Sequence, residues 1–378
     1  MREVKLFQQM YRDGKVSRRE FLTAMSALGL SATAAGGFLT SATALAATPQ
    51  RGGTIIYANN MHGPDDQMDP IVFTSGVDYT RGVTTYNGLI QILDDMTLHA
   101  ELAEEWTPNG DATEFTFKIR KGVTFHDGAD LTADDIVWSM NRHLGDDSAS
   151  VVKSFFANVI EWKKIDSHTV KVILNSPDSD LPIKLGEKQC KIVKKDTEDF
   201  RKGIGTGPFV MDSFQAGVRS THVRNTNYWR EGAYLDAIEI TAVTDPIARV
   251  NALIAGDVDL INMVDAKGLK LIDRADGVHI NSTPSGLYGG ICCLKNTAPG
   301  QDDDFVRGMQ LIQDREKIVR SFLKGHGSVG NDQPISKAYG PDHCTELAQR
   351  EYDPDQAKWH LNKSGTNSAE LWVAPVVP

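Results

Sequence analysis

The chain has few cysteines, a deficit of basic side chains and no long, strongly apolar run. Four cysteines in 378 residues (Cys190, Cys292, Cys293 and Cys344) are too few for a disulfide scaffold. A Cys190–Cys344 bridge stays open in an oxidising compartment. Cys292 and Cys293 sit in an apolar, strand-like run, where small buried thiols pack as hydrophobes. With 40 basic against 50 acidic residues, the chain lacks the clustered cations that phosphate backbones and anionic lipid require. Nucleic acid is therefore not an expected partner. The G-x-S-x-G, H-E-x-x-H and G-x-x-x-x-G-K-[ST] patterns are also missing, which removes the commonest hydrolase, metalloprotease and nucleotide-binding signatures.

The one extended apolar stretch is at the N-terminus. Ser17-Arg18-Arg19-Glu20-Phe21-Leu22 precedes a mildly apolar segment from Ala24 to Leu45, which closes on Ala44-Leu45-Ala46. Adjacent arginines, a weak hydrophobic segment and a small-x-small end describe a twin-arginine export signal, with Arg18 and Arg19 as its mark and cleavage after Ala46. A spanning helix needs about 20 strongly apolar residues. Ser26, Ser31, Thr33, Thr40, Ser41 and Thr43 dilute this segment, and no cysteine lies near the cleavage site to be lipidated. The expected product acts outside the cytoplasm, in the periplasm. Its 332 residues carry a net charge of −13 and are too many for one core.

Strand and helix signals alternate from there on. Thr54-Ile55-Ile56-Tyr57 is β-branched and aromatic, so 53–58 reads as a strand. A loop to Asp78 precedes a helix predicted from Tyr79 to Leu93. Phe115 to Arg120 alternates apolar and polar, as a half-buried strand does. Thr132, with Asp135 three residues on, opens a helix whose apolar face is Ile136, Val137, Met140 and Leu144, stopped by Gly145. Stretches 160–165 and 170–174 form a hairpin around Asp166-Ser167-His168. Strand 237–243, a helix from Asp245-Pro246 to Gly256 and strand 258–263 make a βαβ-type unit. That pattern argues for an α/β fold with a mixed sheet. Two consecutive helices are predicted over 305–313 and 314–323, a short one from Asp353-Pro354 to Gly365, and a strand at 370–374.

Few residues carry chemistry. His126-Asp127 on the turn Phe125-His126-Asp127-Gly128 has the residue types of half a metal or acid–base site, but reads better as a turn in which Asp127 bonds nearby backbone. Asp65, Asp66 and Asp69 near His62 lack calcium-loop spacing, so no metal site is assigned. Asp302-Asp303-Asp304 suits a helix N-terminus. Gly205-Thr206-Gly207-Pro208-Phe209 specifies a fixed, tight backbone turn.

Ordered blocks give a resemblance. Arg51-Gly52-Gly53-Thr54, Leu102-Ala103-Glu104-Glu105-Trp106, the run from Phe115 to Gly128, Leu131-Thr132-Ala133-Asp134-Asp135-Ile136-Val137, Gly205 to Phe209, Asn227-Tyr228-Trp229, Ala255-Gly256-Asp257-Val258-Asp259, Gln313-Asp314-Arg315-Glu316 and Tyr352-Asp353-Pro354 follow one another. In that order they resemble the extracytoplasmic solute-binding proteins of ABC importers, peptide/nickel/opine class (family 5). The resemblance implies a two-lobed periplasmic-binding-protein fold of class II type, with an extra domain inserted in the first lobe. Domain I would cover 47–86 and 201–284, domain II 87–200, and a partial domain III 285–378. Relatives continue past the position of Pro378, so the second lobe is expected to be incomplete, and the chain poorly stable and without tight ligand binding. The implied role is that of a monomer without cofactor, which captures a peptide or similar small solute and delivers it to membrane permease subunits after export by the twin-arginine machinery. Presentation of ligand to a chemosensor or sensor kinase uses the same fold; an exported hydrolase lacks any nucleophile–base or metal constellation here. Thr74-Ser75-Gly76 resembles the first-lobe ligand loop of dipeptide-binding relatives. Tyr288 enters the second lobe, either to stack on the ligand or to pack in a strand.

Overall fold

The computed structural model describes residues 50–94, 96–282 and 286–372. Arg18, Arg19 and Ala46 lie outside the described residues, and no helix among those described is long and apolar enough to cross a membrane.

Strand β1 (Thr54–Asn59) is the axis of a five-stranded mixed sheet. Two short strands follow in the chain, β2 (Ile90–Ile92) and β3 (Leu98–Ala100). Then come β4 (Ala103–Pro108), β5 (Glu114–Ile119), β6 (Val159–Asp166) and β7 (Thr169–Leu174). The chain returns to the first sheet with β8 (Phe209–Gln215), β9 (Arg219–Arg224), β10 (Ala237–Ala242) and β11 (Leu260–Ile261). That sheet runs β11-β1-β10-β9-β8. β1 pairs in parallel with both β10 and β11, while β8 and β9 add antiparallel strands. The β10–helix–β11 crossover therefore straddles β1, as the βαβ reading requires. Its helix, Pro246–Ala255, starts on Asp245, whose carboxylate accepts from Ala248 N at 2.7 Å. It stops at Gly256, in the left-handed conformation (φ 80°) that glycine adopts without a Cβ penalty.

The second sheet, β4-β5-β7-β6, is antiparallel throughout. Alternation along β5 and β7 sends Phe115, Phe117, Ile119, Val170, Val172 and Leu174 to one face. There they meet Trp162 and, from the Ala133–Asn141 helix, Ile136 and Met140. Phe117 is fully buried, worth about 1.5–3 kcal/mol of transfer free energy. Asp135 Oδ2 accepts from both Thr132 N (2.9 Å) and Thr132 Oγ1 (3.0 Å) at the start of that helix, the reciprocal bond of a capping box.

In the C-terminal segment the helices Asp303–Leu311 and Pro354–Ser364 pack together. A Cβ on Gly308 would lie 2.6 Å from Leu361 Cγ and 3.1 Å from Ala357 O, so their approach needs glycine. Asp302 caps the first of these helices through Phe305 N.

Several predicted elements differ. The helix expected from Tyr79 to Leu93 spans Gly76–Thr85. It starts earlier because Ser75 caps it, and it ends where the Glu101 carboxylate draws the following backbone away through Gly88 N (2.7 Å). β11 is shorter than 258–263. The helix expected over 314–323 is one turn, Arg315–Lys317, running into a π-type turn, Ile318–Phe322. Glu370–Trp372 has no strand pairing, and 373–374 lie outside the described residues. Cys292 and Cys293 are not in a strand, and Cys292 is exposed. No Cys190–Cys344 bridge forms: both thiols are free, Cys190 buried with its Sγ 3.4 Å from Lys184 O and Cys344 exposed.

Candidate ligand-binding site

Ligands of open α/β sheets bind outside the carboxyl ends of the parallel strands. Here those ends belong to β1, β10 and β11, and those of β1 and β11 are rich in amides. Asn60 and Asn262 bind each other twice: Asn60 N donates to Asn262 Oδ1 at 3.1 Å, and Asn262 Nδ2 to Asn60 Oδ1 at 2.7 Å. Asn59, fully buried, donates to Tyr57 Oη (2.9 Å) and accepts from Met61 N (2.8 Å). The loops that carry these groups are fixed by the buried Arg249, whose guanidinium donates to four carbonyls: Val243 (2.7 Å), Thr244 (3.2 Å), Asn262 (3.0 Å) and Met263 (2.8 Å).

The Thr74-Ser75-Gly76 turn belongs to the same loop system. Thr74 is exposed. Ser75 is the N-cap, its Oγ accepting from Asp78 N at 3.2 Å. Gly76 opens the helix, and a Cβ there would sit 3.6 Å from Met61 Sδ, an ordinary contact. The positive end of the helix dipole lies at this Ser75 cap, a setting that favours a carboxylate. Tyr288 is elsewhere. It is 61% exposed in an irregular segment, its ring against Gly290, and no hydrogen bond or ring contact joins it to the turn. The described residues around it, from Gly286 on, are not in a strand.

A buried ionic cluster supports the loop from beneath. Arg81 places NH1 at 3.0 Å from Asp66 Oδ2, Nε at 3.1 Å from Ser220 Oγ and its guanidinium 5.0 Å from the Phe214 ring centre. Asp66 also accepts from Gly63 N (2.9 Å) and Gly217 N (3.1 Å). Burial opposes its charge, but the Gly63 bond and Arg81 outweigh burial and hold the Asp66 pKa below the usual carboxylate range. His62 Nδ1 lies 3.2 Å from Asp66 Oδ2 and 3.3 Å from Arg81 NH2. Burial first, and then Arg81, push its pKa down. Asp69 is taken by Arg142, whose guanidinium also covers the Phe200 ring at 4.5 Å. Among the described residues no cluster of three or more His, Cys, Asp or Glu could hold a metal.

Two motifs noted in the sequence meet each other. The His126 ring lies between Gly203 O (3.2 Å) and Gly207 O (3.1 Å), and His126 N donates to Gly205 O (2.9 Å). Asp127 accepts from Ala129 N (3.2 Å), and Gly128 has φ 85°, as a turn requires. Gly207 N donates to Thr85 O (2.9 Å), and Thr206 Oγ1 and Trp229 Nε1 both reach Asn87 Oδ1 at 3.1 Å. These bonds tie the end of the Gly76–Thr85 helix to the returning chain. Arg81, Arg249, Asn60 and Asn262 carry no sequence signal of their own.

Residues 97–373 match the family model of bacterial extracellular solute-binding proteins, family 5 Middle. Heme-binding protein A of Haemophilus influenzae is 26% identical over 346 residues, covering 82% of this chain and 62% of that protein. The dipeptide-binding protein of Escherichia coli is 24% identical, covering 85% of this chain and 66% of its own. The periplasmic binding protein DppA from Helicobacter pylori, solved with the peptide STSA, superposes with a TM-score of 0.71 at 21% identity, over 84% of this chain and 67% of that one. NikZ from Campylobacter jejuni, solved with Ni(L-His), gives a TM-score of 0.73 at 20% identity, over 82% and 63%. The fold is that of the periplasmic binding proteins. The chain belongs to the bacterial extracellular solute-binding proteins of family 5, and spans a little under two thirds of the length of such relatives.

Proposed function

We propose that this chain is the solute-capturing component of an ABC importer, binding a peptide or similar small solute between two lobes and handing it to membrane permease subunits. The observation that carries this reading is the amide-lined carboxyl end of β1 and β11 beside the Ser75-capped helix. Backbone and amide groups of this kind suit the polar ends of a peptide. The relatives named for dipeptide binding and the structure solved with peptide STSA agree with it. Thr74, Ser75 and Gly76 would face the ligand from the first lobe, with Tyr288 reaching it from the second on closure. In this reading domain I comprises 47–86 and 201–284, domain II 87–200, and domain III begins at 285. Export would follow the twin-arginine route to the periplasm, where the protein works as a monomer.

Binding should appear as a solute-dependent rise in Tm, since a ligand that binds only the native state stabilises it. A panel of di- and tripeptides, an opine and nickel–histidine at millimolar concentration tests this. A saturable rise with peptides supports the reading, and a flat response across the panel overturns it.

A further inference from the structure

Two adjacent thiols take no part in the solute reading. Cys292 and Cys293 lie in an irregular stretch, joined by one peptide bond, so their Cα atoms are about 3.8 Å apart. Both are free, Cys292 exposed and Cys293 partly so. The chain beyond them is anchored. Gln301 N donates to Thr297 O (3.1 Å) and Asp302 N to Pro299 O (3.0 Å). A Cβ on Gly300 would lie 2.1 Å from Leu294 O, so this turn closes directly on the residue after the pair. Lys295 Nζ is held by Asp303 at 2.6 Å. Before the pair stand Gly289 and Gly290, where no Cβ restricts the backbone from turning both sulfurs toward one centre.

Two soft sulfurs select a soft centre. Zinc asks for four ligands, and among the described residues no group of three or more His, Cys, Asp or Glu supplies them. A linear two-coordinate ion takes its sulfurs on opposite sides, a poor match to donors one residue apart. Pyramidal trivalent arsenic takes two neighbouring sulfurs at a narrow angle and leaves its third position to an outside group. Burial, and then the neighbouring Cys292, raise the Cys293 pKa, so this thiol keeps its proton at neutral pH. An arsenical bearing an oxygen removes that proton as water.

We propose that Cys292 and Cys293 together chelate a trivalent arsenical, RAsO. The two S–H bonds and the bonds from arsenic to oxygen break, two S–As bonds form, and the oxygen leaves with both protons as water. Neither sulfur nor arsenic changes oxidation state. The second S–As bond closes within the chain, at high effective concentration. The inference rests on the two thiols alone and is independent of the solute reading.

Phenylarsine oxide is the probe, added at one equivalent to the reduced, folded full chain, after which a chromogenic disulfide reagent counts the remaining thiols. Of the three accessible thiols, Cys292, Cys293 and Cys344, two should be lost. An excess of the monothiol 2-mercaptoethanol should not restore them, whereas the dithiol 2,3-dimercaptopropanol should. C292S leaves one sulfur of the pair, and retention against the monothiol should fall about a hundredfold. C344S should retain the arsenical as wild type does. The proposal is overturned if no thiols are lost, if the monothiol strips the wild-type chain, if C292S retains the arsenical as wild type does, or if C344S loses it. If C292S does not fold, C293S leaves the other single sulfur and is read in the same way.

Discussion

Arg81 and Asp66, fifteen residues apart, face each other at 3.0 Å with both side chains nearly excluded from solvent. The pair joins the His62–Asp66 loop to the Gly76–Thr85 helix, and through Ser220 and Gly217 N it joins both to the β8–β9 hairpin. Removing one member of such a pair leaves the other charge buried and uncompensated, at a cost of about 3–5 kcal/mol. Arg81→Ala should therefore lower the free energy of unfolding in urea by that order. Asp66→Asn should cost less, because an amide oxygen can still accept from Gly63 N and Gly217 N. Equal losses below 1 kcal/mol would show that water replaces the pair.

The buried histidines set the acid side of the stability profile. His222 is pushed down to about 3, by burial and then by the charges of Arg81 and His126. His143 is pushed down to about 4, by burial and then by Arg142. Unfolded, both would titrate near the ordinary 6.5. Between pH 6.5 and about 4 the unfolded chain thus binds protons that the folded chain refuses. Stability is full above 6.5 and falls as the pH drops through that window, with a slope of about 1.4 kcal/mol per pH unit for each such histidine. The carboxylate of Asp66 adds its own loss below the ordinary carboxylate range, where it must be protonated. Urea midpoints from pH 7.5 to 4 check the slope. His222→Gln should flatten it, and an unchanged slope would contradict the assignment.

The turn at 205–207 offers a sharper test of packing. A Cβ on Gly207 would lie 2.4 Å from Thr85 C and 2.5 Å from Thr85 O, both backbone atoms. A Cβ on Gly110 would meet nothing within 4 Å. Gly207→Ala must therefore part the Thr85–Gly207 contact, at a cost of about 1–3 kcal/mol or more, whereas Gly110→Ala should be nearly neutral. Thermal melts of the two variants discriminate them.

These examples show which information the sequence held. The α/β class, β5, the Asp245–Gly256 helix and the hairpin around Ser167 were readable because their signals are local: alternation, a cap, a proline, a glycine stop. The end of the helix at Thr85 was not, because the Glu101 carboxylate that draws the backbone away at Gly88 lies thirteen residues further on. The turn of Thr74–Gly76 was legible as a polar loop. Its neighbours Asn60 and Asn262 were not, since they meet only across parallel strands separated by 202 residues. The apolar run around Cys292 and Cys293 forms no strand, because such a run becomes a strand only when a partner strand pairs with it.

The thiols should divide by environment. Cys190 is fully buried and burial raises its pKa strongly, so it presents neither access nor thiolate. Cys292 and Cys344 are exposed and Cys293 partly so. A chromogenic disulfide reagent should label Cys292 and Cys344 in the first phase and Cys190 only on unfolding. Intact mass under non-reducing conditions should show no loss of two hydrogens between Cys190 and Cys344; such a loss would overturn the free-thiol structure.

The candidate site separates into positioning and contact residues, and two variants tell them apart. Arg249 holds four carbonyls at the loops that follow β10 and β11, and it is buried. Arg249→Lys keeps the charge but cannot span four acceptors with one ammonium, so carbonyls lose their partners and the loss is chiefly in stability, about 1–3 kcal/mol. Asn60 is only half-buried, and its amide oxygen is held by Asn262. Asn60→Ala removes the bond from Asn262 Nδ2 but keeps the one that Asn60 N donates to Asn262 Oδ1, and should leave the Tm within a few degrees of wild type. If the strand ends contact the solute, Asn60→Ala lowers peptide affinity severalfold while Arg249→Lys lowers Tm more than affinity. Calorimetric titration of a peptide that shifts the wild-type Tm, set beside the melts, reads both quantities. Unchanged affinity in Asn60→Ala would move the contact away from the carboxyl ends of β1 and β11.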